Sequence, residues 1–193
     1  MFQLTQRHLR ASTKMRLLTI LVALGITPAF AQLPKALEPT ELLAALESTP
    51  SQLLVVAPTV ANREIADALR RAATQRGTRV FIVASPELVE ASYSYVPSLA
   101  LLAHVQVRLG RVERSFIVAG RGEAALLIEG VQVGAIAAAP DQPSTYSSRE
   151  ASLVGERARL FTSLWRAARP YHTALFQSDP VALETIPEPW GLP

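Results

Sequence analysis

Cysteine is absent from the chain, and histidine occurs only at positions 8, 104 and 172. Without thiols there are no disulfides, no zinc-thiolate sites and no cysteine nucleophile. Two isolated histidines beyond the N-terminal segment do not make a zinc site either. Lysine is nearly missing too, at positions 14 and 35 alone, so positive charge rests on arginine, which keeps its charge and can bind an anion. No G-x-S-x-G occurs, which removes the local signature of a hydrolase nucleophile elbow. The apolar run "LLTILVALGI" is short of the roughly 20 apolar residues of a membrane span, and Pro28 follows it. Nothing in the sequence asks for a metal or a cofactor.

What is present begins with a leader. Arg7, Arg10, Lys14 and Arg16 precede the apolar run "LLTILVALGI", and "AFA" ends it with small residues at Ala29 and Ala31. This reads as a secretory signal peptide over 1–31, cut between Ala31 and Gln32, with Met1 or Met15 as the start. The expectation is an exported protein, periplasmic or extracellular, that meets a membrane only through its leader. Four of the nineteen basic residues and none of the sixteen acidic ones leave with it. The remainder is close to neutral, so the basic charge of the full chain is no evidence for a nucleic-acid or anionic-membrane partner.

The rest alternates strand and helix signals. Residues 32–50 form an arm with three prolines around a short helical pattern, "TELLAALES", which Thr40 can cap. "QLLVVAP" is a continuous apolar run of the kind buried on both faces of a sheet. "ANREIADALRRAATQRG" follows, with Ile65, Leu69, Ala72 and Ala73 at helical spacing, Asn62 as cap and Gly77 as stop. "TRVFIVAS" is a second buried strand, so a βαβ unit is expected, and "VQVRL" offers a further strand. "SFIVAG" and "AALLIEG" around "RG" suggest a hairpin with a glycine-bearing turn. "SSRE" at 147–150 has capping-box spacing before a long amphipathic helix that carries Leu153, Val154, Leu160, Phe161, Leu164, Trp165 and Ala168 on one face. A proline-rich tail occupies 173–193. "GRGEAA" at 120–125 formally matches a dinucleotide fingerprint, but β-rich sequence follows it where that motif needs a helix.

The order of "LLVVAP", "IADALRRAATQRGTRVFIV", "RSFIVAGRGEAALLIEG" and "LFTSLWRAARPY" resembles one half of the phospholipase D-like superfamily over about residues 51–172. The resemblance implies an α/β fold, a mixed β-sheet flanked by helices, and a late helix with an aromatic pair like Phe161 and Trp165. It further implies a strand bearing His-x-Lys that runs into an Asp-Gly turn, then a strand bearing Gly-Ser-x-Asn, with histidine attacking phosphorus. Single-half members commonly pair as homodimers. With Gly120 as the turn glycine, Val112 stands at the histidine, Arg114 at the lysine and Ala119 at the aspartate, and "LLIEG" replaces Gly-Ser-x-Asn.

The expectation is therefore a phospholipase D-like domain without its catalytic residues, with a binding or structural role in the cell envelope. Arg108, Arg111, Arg114 and Arg121 are candidates for an anion site that takes a phosphate-bearing ligand. Alternatively they stand solvated beside Glu113 and Glu123. A rival reading is an active phosphodiesterase or other hydrolase that uses His104 or His172 with unconventional partners.

Overall fold

The computed structural model describes residues 35–130 and 145–171. The expected leader (1–31), His172, the tail (173–193) and the apolar stretch 131–136 lie outside them. In chain order the described elements are β1 (Lys35–Ala36), α1 (Pro39–Ser48), β2 (Gln52–Val56), α2 (Arg63–Arg76), β3 (Arg79–Ala84), α3 (Val96–Ala100), β4 (Val105–Leu109), β5 (Phe116–Ala119), β6 (Leu126–Glu129), β7 (Tyr146–Ser148), α4 (Ala151–Ala167) and β8 (Arg169–Pro170).

The strands form one mixed sheet in the order β1-β7-β6-β5-β2-β3-β4-β8. β2, β3 and β4 run parallel, while every other neighbouring pair is antiparallel. All five residues of β2 are buried, as are five of the six in β3, because helices cover the central strands on both sides. Side chains alternate across the sheet. Leu53, Val55, Val80, Ile82 and Ile117 face a layer made by α1, α2 and α3. Leu54, Val56, Phe81, Val83, Phe116 and Val118 face α4.

Local sequence explains the helix ends. Asn62 caps α2, its side chain accepting from the backbone N–H groups of Glu64 (2.9 Å) and Ile65 (3.2 Å), and Gly77 closes it at φ 65°. α1 starts one residue before the expected Thr40: Glu38 is its cap, Pro39 opens it, and Leu42 and Leu46 are buried against the α2 layer. The capping box expected at 147–150 does not form. Ser147 and Ser148 are drawn into β7 by pairing with β6, so the helix begins at Ala151 behind Glu150. The Ser148 hydroxyl still accepts from the Glu150 N–H at 3.1 Å.

α4 is fixed to the sheet by aromatics. The Trp165 ring meets Phe81 edge-on at 5.4 Å and stacks on Phe161 at 5.6 Å, the arrangements that ring quadrupoles favour. The β5–β6 hairpin turns through Gly120 at φ 92° and Gly122 at φ 57°, left-handed conformations that disfavour a side chain. Between the strands lies a single 3-10 turn, Gly122–Ala124, and not the helix that a dinucleotide fingerprint requires.

At the far edge the Tyr171 hydroxyl donates to Glu90 at 2.6 Å. Burial, then the hydrogen bond and charge of Glu90, push its pKa up to about 12.

Two outcomes follow. Trp165→Ala lowers stability by about 3–5 kcal/mol and Asn62→Ala by about 1 kcal/mol, read by urea denaturation. The neutral Tyr171 phenol is the form the fold favours, so its contribution is intact below the unfolded value of about 10 and is lost as pH rises through about 12. Tyr171→Phe removes that late phenolate transition from an alkaline absorbance titration.

Candidate anion-binding site

Antiparallel pairing sets Val56 beside Phe116 and Phe116 beside Glu129. This row is the floor of a cavity of about 420 Å³ at the end of β5 that the resemblance marks for chemistry. Arg157, Leu160 and Leu164, on successive turns of α4, form one wall, and Arg111, Glu113 and Arg114 come in from the segment before β5. Leu160 belongs to the expected apolar stripe of α4, yet it stays 42% exposed because it faces this opening and not the core.

The charges are unequally engaged. Arg157 donates through Nε to Glu129 Oε1 at 2.5 Å and through Nη1 to Glu156 Oε1 at 2.6 Å. The hydrogen bond that it donates to Glu129 holds the guanidinium above its ordinary pKa. Arg111 pairs with Glu113 at 3.1 Å, but both side chains are largely exposed, so water screens the pair. Arg114 makes no ion pair among the described residues.

The positions compared with the superfamily motif sit as follows. Val112 is half-buried and packs against the cluster under α4, Arg114 lines the cavity, and Ala119 lies in the opposite layer at 4% exposure. Glu129 occupies the second strand where an asparagine-bearing motif is implied. Among the described residues, the cavity lining contains arginine, glutamate, valine, leucine and phenylalanine, and no histidine, lysine, serine or threonine.

Of the four arginines that stand out in the sequence, the structure brings only Arg111 and Arg114 to this cavity. Arg108, on β4, lies with its guanidinium 4.8 Å from the Trp165 ring and donates through Nη1 to the Trp165 carbonyl at 2.8 Å. It caps the negative end of α4, and burial lowers its pKa. Arg121 follows β5 at the other end of the strand, where its Nε donates to Gln52 Oε1 at 2.8 Å. Arg157 is the cavity residue that sequence reasoning missed. Its partner Glu129 lies 28 residues away, and no local pattern joins them. His104 is exposed just before β4, and its carbonyl accepts from Val80 at the start of β3. The cavity floor is level with the opposite ends of these strands.

No protein-family model and no curated protein matches the chain. Solved structures do. NucT from Helicobacter pylori is similar at a TM-score of 0.58 and 12% identity, covering 68% of this chain and 89% of its own. Nuc from Salmonella typhimurium, a phospholipase D family member, is similar at 0.53 and 16%, covering 69% and 90%. TrmBL2, an archaeal chromatin protein with a novel mode of DNA binding, is similar at 0.53 and 16%, covering 84% of this chain and 62% of its own. That last neighbour, a DNA-binding protein, corrects the expectation that nothing points to nucleic acid. The expectation rested on net charge, which is a sum over the chain. A sheet can gather arginines locally while glutamates elsewhere cancel them in the total. The mixed eight-stranded sheet, its flanking helices and these neighbours together give the chain the phospholipase D-like α/β fold.

Proposed function

We propose that this protein binds the phosphodiester groups of nucleic acid at the Arg111–Arg114–Arg157 cavity without cleaving them, as an exported protein of the cell envelope. The observation that carries this reading is the lining of the cavity: three guanidinium groups around Val56 and Phe116, with no histidine or lysine among the described residues that line it. Guanidinium forks suit two oxygens of one phosphate. The described lining holds no histidine, the attacking group the resemblance implies, and the valine and arginine at the implied histidine and lysine positions cannot serve as nucleophiles at phosphorus. The likeness to a DNA-binding chromatin protein supports the choice of ligand. The domain organisation that accompanies the proposal is a leader over 1–31, an arm over 32–50, the binding domain over 51–172 and a tail over 173–193.

Binding is read by fluorescence anisotropy with labelled single- and double-stranded DNA across a salt series. Arg111→Glu with Arg114→Glu weakens binding by at least about tenfold. For single strands it flattens the log–log salt dependence by about 1 to 1.5, at about 0.7 for each phosphate no longer neutralised. Unchanged affinity and slope would remove the cavity from the proposal.

Glu129→Gln removes one of the two carboxylates that hold Arg157 and leaves Glu156 as its partner. It tightens DNA binding while changing stability by about 1 kcal/mol or less, because the pair is partly exposed.

Hydrolysis of a phosphodiester reporter, lipid and DNA is expected to stay at the buffer rate. Turnover that disappears in His104→Ala with His172→Ala would instead establish the hydrolase reading. Export is checked separately by the intact mass of secreted protein, which is expected to begin at Gln32.

A further inference from the structure

A second group of cations stands at the other end of β2 and β5, on the face that carries α4. Gln52 and Arg79 are direct partners in the parallel ladder. Gln52 lies one alternation before Leu54 and Arg79 one before Phe81, both of which face α4. The Arg79 guanidinium lies 5.9 Å from the Phe81 ring, and Arg121 reaches in from the hairpin to Gln52.

Two features of this group are unsettled within the described residues. First, neither Arg79 nor Arg121 has a carboxylate partner there. The pKa of Arg121 is lowered by burial and then by the charge of Arg79, so the guanidinium groups are near enough to repel. Second, Gln52 is fully buried, and while its Oε1 accepts from Arg121, its Nε2 has no hydrogen-bond partner. Its amide orientation is fixed, since turning it over would set donor against donor at Arg121. A buried unpaired donor costs about 1–3 kcal/mol. Two cations and a spare N–H donor gathered at one end of neighbouring strands are the chemical complement of an oxyanion, which would accept from all three.

We propose that Arg79, Arg121 and Gln52 form a second oxyanion site that takes a phosphate group. It is distinct from the cavity. Four residue steps of β2 separate Gln52 from Val56, roughly 13 Å, and no residue lines both. The site does not depend on the cavity binding DNA.

The test follows the side-chain N–H signals of Arg79, Arg121 and Gln52 by NMR during titration with inorganic phosphate, and separately with the dinucleotide dTpT, which has no terminal phosphate. Saturable shifts are expected at these side chains, equally in the wild type and in Arg111→Met with Arg114→Met. Arg79→Met weakens the response about ten- to a hundredfold, the range for losing one charged hydrogen bond. A response to dTpT assigns the site to backbone diesters, and a response to inorganic phosphate alone assigns it to free phosphate. No saturable shift, or shifts lost in the cavity variant but kept in Arg79→Met, would overturn the proposal. Gln52→Glu guards against a folding defect, because it places a carboxylate beside the two cations. It is expected to raise the melting temperature in phosphate-free buffer and to abolish the phosphate response. A lower melting temperature with the response retained would count against the site.

Discussion

The antiparallel pairing of β5 with β2 is the constraint on which the rest depends. It places Phe116 beside Val56 at one end and lets the Gly120 N–H donate to the Gln52 carbonyl at 2.9 Å at the other. The residues before β5 and those after it are thereby sent to opposite ends of one sheet. Arg111 and Arg114 go one way and Arg121 the other, although ten residues or fewer separate them in sequence.

α4 builds on that frame. Its N-terminal part packs against the β5–β6 hairpin through Val154, near Ala125 and Leu127, and its C-terminal part packs on Phe81 through Trp165. The stretch between supplies Arg157, Leu160 and Leu164 to the cavity. The aromatic pairs do more than bury area. They fix the helix rotation that turns Leu160 toward the opening, and they hold Arg108 over an indole ring and a helix C-terminus. An arginine that looks available in sequence is thereby committed to structure. Arg108 and Arg114 are chemically identical, and neighbours alone give them different work.

Much of the fold was legible in the residues. The apolar runs at 53–56 and 80–84 mark buried strands because nothing in them could tolerate water on either face. Asn62 and Gly77 bound α2 because a side-chain acceptor and a left-handed glycine satisfy helix ends locally. The capping box at 147–150 misled, since a local hydrogen-bond pattern competes with strand pairing, and β6 offered a ladder that the sequence window does not contain. The site was less legible for the same reason. Arg157 with Glu129, and Arg121 with Gln52, are pairs 28 and 69 residues apart, and no periodicity encodes them.

The sequence by itself determined the chemical inventory: no thiol, almost no lysine, few histidines and many arginines. Those limits hold in any fold, because no conformation creates a missing functional group. It also determined the central strands and the helix between Asn62 and Gly77, since burial pattern and end signals are local there. Only the tertiary structure decided which arginines meet, which are committed to packing, and that two cation groups lie at opposite ends of one strand pair. Such choices depend on register and helix rotation, which long-range packing sets.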